Sequence, residues 1–185
     1  MKIEKHRNYA IAFITLPDIF YIGTSYQLGK FTFELDGQWT GWSSYDELKV
    51  DYESDMLSGN FGDQIVKDKG WNDVWAIRFG VQYKVNDILA LRAGIIRDYS
   101  PIPDETVDPL VPSGDRWLYA LGFGLNFTHW TFDFAYNYLD DEGRDFDNEV
   151  GKTSNPISYY TYYPMTGEFK DVKAHIFGVN VTYKF

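Results

Sequence analysis

The strongest constraint on the fold lies at the end of the chain. From Phe177 to Phe185 every second residue is apolar: Phe177, Val179, Val181, Tyr183 and Phe185. Gly178, Asn180, Thr182 and Lys184 sit between them. Successive side chains of a strand point to opposite faces, so this segment presents one greasy, aromatic face and one polar or small face. A greasy face of this kind must find a cover. The run measures about 26 Å at ~3.3 Å per residue. Tilted by about 40°, it nearly matches the ~25 Å apolar band of an outer-membrane barrel. The expected cover is a membrane.

The same alternation recurs upstream. Ile19–Leu28 carries Phe20, Ile22, Tyr26 and Leu28 on one face, and Gly29-Lys30 has the form of a two-residue type II′ hairpin. Placing Leu28 opposite Phe31 sets Tyr26 against Phe33 and Thr24 against Leu35, with Glu34, Asp36 and Gln38 together on the other side. Trp71–Val85, Leu89–Ile96, Trp117–Phe127 and Trp130–Tyr138 alternate in the same way, with turns at Asn86-Asp87 and Thr128-His129. Tyr9–Leu16 is a further extended segment ending at Pro17. After Ser43-Ser44 the parity shifts to Leu48, Val50 and Tyr52, which suggests a bulge. Stretches 53–70, 98–115 and 139–170 are polar or proline-containing and read as long loops.

Short turns thus alternate with long loops, as periplasmic turns and extracellular loops do in outer-membrane barrels. The expectation is an all-β, antiparallel transmembrane β-barrel with about seven or eight strands, occupying residues 1–185 as a single domain. The composition agrees. Fifteen Tyr, fourteen Phe and six Trp suit a molecule with two membrane–water interfaces. No apolar run reaches the ~20 residues of a membrane helix. The charged residues of 1–8 precede an apolar stretch, but no small-residue cleavage site follows, so the start of the chain reads as strand rather than leader.

The net charge of −10 argues against nucleic acid as a partner. With no cysteine there is neither a disulfide framework nor a thiolate metal site. His6, His129 and His175 share no metal-ligand spacing. Asp145-x-Asp147-x-Glu149 hints at calcium, yet Val150 stands where an EF-hand loop needs glycine. The acidic run 140–149 reads as a solvated loop that divalent ions could bridge to lipopolysaccharide. No metal or cofactor is expected. The sequons at Asn126 and Asn180 fall within strands and carry no meaning here.

Three sets of residues are together similar to the C-terminal half of the FadL/TodX family of outer-membrane transporters for long-chain fatty acids and other hydrophobic compounds. They are Leu16-Pro17-Asp18 with Trp39-Thr40-Gly41-Trp42-Ser43-Ser44-Tyr45, Leu91-Arg92-Ala93-Gly94 with Asp98-Tyr99-Ser100-Pro101-Ile102-Pro103, and Pro112-Ser113-Gly114-Asp115-Arg116. The resemblance implies a fourteen-stranded barrel of which this chain is one portion. The N-terminal hatch and the first strands lie outside it. It further implies passive passage of a hydrophobic ligand, and a bacterial outer-membrane location.

The parity assigns side chains to the two faces. Phe132, Phe134, Tyr136, Phe177, Val179, Val181, Tyr183 and Phe185 are expected to face the membrane. Arg78, Lys84, Arg92 and Arg116 are the inward cations that could meet a ligand carboxylate. The favoured expectation for them is to brace the barrel by pairing with Asp133, Glu34, Asp36 and Asp98. Expected partners are membrane lipid and lipopolysaccharide, a fatty acid or other hydrophobic ligand, and the outer-membrane assembly machinery through the Phe185 strand. Two alternatives stay open: a small structural anchor barrel filled by its own side chains, and an outer-membrane hydrolase using His175 beside a hydroxyl. The chain is not expected to be an enzyme. Gly80, Gly94, Gly122, Gly124, Ala90, Ala120 and Ala135 leave inward space, which favours a conduit over an anchor.

Overall fold

The structure is a computed structural model that describes residues 9–53, 64–107, 111–148 and 165–185. Its strands are β1 (Tyr9–Phe13), β2 (Ile19–Leu28), β3 (Phe31–Thr40), β4 (Glu47–Glu53), β5 (Gln64–Asp68) and β6 (Val74–Lys84). They continue with β7 (Leu89–Asp98), β8 (Arg116–Asn126), β9 (Trp130–Asp141), β10 (Arg144–Asn148), β11 (Met165–Phe169) and β12 (Lys173–Tyr183). Seven of these make one antiparallel sheet in the order β2-β3-β6-β7-β8-β9-β12. We call this sheet the wall.

Short turns set the register. Leu28 lies opposite Phe31, Tyr26 opposite Phe33 and Thr24 opposite Leu35, as the hairpin pattern predicts. Gly29 has φ 58°, the left-handed value required at the first position of a type II′ turn and one that glycine adopts without strain. At the second turn the Asn86 carboxamide oxygen accepts the backbone N–H groups of Ile88 and Leu89 at 2.9 and 2.8 Å. This side-chain mimic of a turn is what Asn offers there.

No strand slips, so parity holds across all seven strands. Tyr26, Phe33, Val81, Ala93, Leu121, Tyr136 and Phe177 form one continuous row. Leu28, Phe31, Tyr83, Leu91, Phe123, Phe134 and Val179 form the next. On the opposite face, Gln27, Thr32, Gln82, Arg92, Gly122, Ala135 and Gly178 make the corresponding row. The apolar face is bare: Val179 is 73% exposed and Phe177 67%. Buried apolar side chains among the described residues are Tyr45, Ala76, Ile102 and Val107, and of these only Ala76 belongs to the wall.

Four expectations are corrected. The parity change after Ser43-Ser44 is not a bulge within β3. A 3-10 turn at Trp42–Ser44 ends that direction, and β4 pairs instead with β1 and β5 in a separate three-stranded sheet. Tyr9–Leu16 is therefore no eighth wall strand. Its ordered part is β1, at the long-loop end of the chain's topology. The stretch 53–70 contains β5, and 139–170 contains the end of β9 and the β10–β11 pair, so neither is purely loop. Trp71 lies before β6, where its ring meets Trp42 and Tyr45 edge-on at 4.8 and 5.1 Å.

The wall is not closed, because β2 and β12 do not pair with each other. Both run toward the short-turn end, as the outer strands of any odd-numbered antiparallel meander must. The closed anchor barrel considered from sequence does not form from these seven strands.

Candidate functional site

The polar face of the wall curves around a groove of about 580 Å³, lined from β3 through β12. That volume lies within the ~300–1,000 Å³ usual for small-molecule sites. The space exists because small residues cluster on this face. Gly80, Gly94, Ala120, Gly122, Ala135 and Gly178 all line it. A Cβ placed on Gly80 or Gly178 would meet no atom closer than 3.9 Å.

Arg92 is the cation in the groove. Its Nε donates to Gln82 Oε1 at 2.8 Å, and a terminal nitrogen donates to Asp133 Oδ1 at 2.6 Å. The pair passes over Gly124, where a Cβ would stand 2.8 Å from Asp133 Oδ1 and 3.0 Å from the guanidinium. A side chain at 124 would therefore push the two charged ends aside. Glu34, also in the lining, has no hydrogen-bond or ion-pair partner among the described residues, and neither does Asp36. The bracing role foreseen for Asp133 and Asp98 has its geometry, whereas Glu34 and Asp36 bond no arginine.

The other inward cations lie outside the groove. Arg78 donates to Gln38 Oε1 at 2.6 Å. Lys84 pairs with Asp87 of the adjacent turn at 3.0 Å. Arg116 donates to Asp98 Oδ2 at 2.6 Å, directly across the β7–β8 ladder. Phe132, Phe134, Tyr136, Phe177, Val179, Val181 and Tyr183 all fall on the opposite, apolar face. The Phe185 ring meets Tyr183 edge-on at 5.1 Å. His175 is on that apolar face too, with Nδ1 2.8 Å from the Tyr136 hydroxyl and its ring beside Tyr138.

At the long-loop end of β7–β9 a polar cap ties the connections together. Asp115 accepts the Ser100 N–H at 2.9 Å and Arg97 at 2.9 Å. The buried Asp141 carboxylate accepts the N–H groups of Gly114 and Gly143 at 3.2 and 2.9 Å. Arg144 donates to the carbonyls of Ile102 and Ser113 at 2.8 and 3.1 Å and pairs with Asp104. Arg97 pairs with Glu142 and stands 4.9 Å from the ring centroids of both Tyr99 and Trp117. The Arg97 hydrogen bond and charge hold the Glu142 carboxyl below the usual glutamate range.

Sequence reasoning missed Arg97 and Arg144. Arg97 did leave a signal, since by parity it interrupts the apolar face; Arg144 left none, lying in what read as loop. The acidic run 140–149 is partly absorbed here: Asp141 and Glu142 serve the cap, Asp145 and Asp147 lie in β10, and Glu149 lies outside the described residues. Among the described residues no group of three or more His or carboxylates is arranged to hold a metal.

The likeness to known proteins runs along nearly the whole chain. The long-chain fatty acid transport protein of Escherichia coli O6:H1 is 26% identical over 176 residues, which is 93% of this chain and 35% of that protein. An outer membrane protein of Neisseria meningitidis serogroup B is 28% identical, over 81% of this chain and 32% of its own length. The 47 kDa outer membrane protein of Pasteurella multocida is 26% identical, over 84% and 32%. This chain thus spans about a third of the curated relatives it matches. The crystal structure of a Pseudomonas aeruginosa FadL homologue superposes with a TM-score of 0.77 at 23% identity, over 94% of this chain and 37% of that one, and so shares the fold. The family model for outer membrane protein transport proteins (OMPP1/FadL/TodX) matches residues 3–185. With a two-faced wall, an inward groove and that match, the chain belongs to the OMPP1/FadL/TodX family of transport proteins of the outer membrane.

Proposed function

We propose that this chain forms one side of an outer-membrane barrel through which hydrophobic small molecules pass, and that the groove at Arg92 is part of the path. One observation carries the reading: the same seven strands present an apolar band on one face, with the Tyr26–Phe177 and Leu28–Val179 rows at its centre, and a 580 Å³ groove on the other. The apolar face, with Phe132, Phe134, Tyr136, Phe177, Val179, Val181, Tyr183 and Phe185, is then the lipid contact. A fatty acid is one candidate ligand, by similarity to the Escherichia coli relative.

Strand direction supports a larger barrel. Since β2 and β12 run the same way, joining them, or joining two copies of the wall, would give parallel seams. Antiparallel closure needs further strands whose two outer members run from the short-turn end to the long-loop end. Bacterial single-chain barrels close with an even strand number, so the complement is odd. Under this reading the exposed edge and aromatic terminus of β12 are also what the outer-membrane assembly machinery would engage.

The test is saturable binding of an uncharged, environment-sensitive apolar fluorophore by the refolded chain in detergent, compared with Gly178→Phe and Gly80→Phe. Both substitutions fill the groove from positions where a Cβ meets no atom closer than 3.9 Å. Binding that falls at least tenfold in both, with unchanged strand content, is expected. Equal binding in all three proteins would remove the groove from the path.

A further inference from the structure

We infer that the groove prefers an uncharged apolar molecule to the matching carboxylate; this rests on the reading that the groove binds ligand at all. The charged side chains lining the groove are Glu34, Arg92 and Asp133, which sum to −1. The cation among them is committed. Asp133 holds its guanidinium at 2.6 Å, and Gln82 takes its Nε. A carboxylate that approached Arg92 would come to rest beside Asp133, and like charges a few ångströms apart repel strongly wherever water is thinned out.

Glu34 adds to this repulsion. It faces the groove directly across from Gly80, has no partner among the described residues, and presents its carboxylate to whatever enters. The cations outside the lining do not compensate. Arg78, two residues along β6 from Gly80, donates to Gln38, and Lys84 is paired with Asp87 in the turn. An alcohol, ester or hydrocarbon meets none of this repulsion. It would lie along the glycine and alanine surface, and a hydroxyl could accept from the free guanidinium donors of Arg92 or donate to Glu34.

The experiment is competition against the bound fluorophore by a straight-chain fatty alcohol and by the fatty acid of equal length. It uses the whole chain in detergent, at alkaline pH where the acid is ionised, with detergent blanks. The alcohol should displace the probe at a concentration on the order of tenfold lower than the acid does. Glu34→Gln, at an exposed position remote from the ion pair, should narrow that ratio. Asp133→Asn, which frees Arg92 while preserving shape, should reverse it. An acid that competes as well as the alcohol in the unaltered chain, with neither substitution moving the ratio, overturns the inference and leaves groove binding standing. Displacement by neither, together with Gly178→Phe behaving like the unaltered chain, overturns groove binding and this inference with it.

Discussion

The wall and the cap solve the same problem by opposite means. In the wall, the apolar side chains of seven strands point outward and stay bare, and its buried apolar side chain among the described residues is the small Ala76. In the loop-side elements Tyr45, Ile102 and Val107 are buried, Trp42, Tyr45 and Trp71 pack edge-on, and ionic ties close the connections. The cap therefore resembles a water-soluble domain, with burial and satisfied polar groups holding it together. In the proposed reading the wall leaves its burial to the lipid, where an unpaired backbone polar group would cost several kcal/mol and the ladder must be complete.

The contrast is broken most strongly from the lipid side. Val179→Arg or Phe134→Arg should cost about 2–4 kcal/mol near the middle of the band, read as folding free energy into bilayers. The same arginine at the exposed cap position Glu105 should cost under about 0.5 kcal/mol. Equal costs at the two places would end the distinction. Next comes the cap. Arg144→Ala removes the hydrogen bonds to the Ile102 and Ser113 carbonyls and the ion pair with Asp104, and leaves the Ile102 carbonyl without that donor, worth about 1–3 kcal/mol. Amide exchange should quicken around Ile102 and Val107 while β8 and β9 stay protected. Exchange that rises evenly in cap and wall would mean the two are one cooperative unit.

A smaller effect follows from Glu142. Its carboxyl is held below the ordinary range by Arg97, so its contribution is complete above the unfolded glutamate pKa of about 4.3 and is lost as pH falls through the lower folded value. Half of Glu142 is open to solvent, which limits the size of the step to a fraction of a kcal/mol. Acid titration of Trp117 fluorescence should show the step, and Glu142→Gln should abolish it. A step that survives in the Gln variant belongs to another group. The subtlest test is Gly124→Ala, which presses on the Arg92–Asp133 pair. It should alter ligand preference in the groove with little loss of stability, and a plain loss of stability instead would make Gly124 part of the wall's architecture alone.

Local sequence was enough for the wall. Strand alternation and two-residue turns act over a few residues, and a hairpin register once set at Gly29-Lys30 propagates along the whole pair. The same logic sorted Arg78, Lys84, Arg92 and Arg116 from Phe134 and Val179. Only the tertiary structure decided the cap, because β1 pairs with β4 across the whole β2–β3 hairpin and β10 with β11 across residues 149–164, so no short turn marks either pairing in the sequence. It also decided which carboxylate meets Arg92. Parity puts Glu34, Asp36 and Asp133 on one face with it, but the choice depends on the stagger across β7, β8 and β9, where Gly124 lets a side chain cross to the next strand but one. Face is a property of one strand and can be read from its residues, whereas partnership depends on three strands at once.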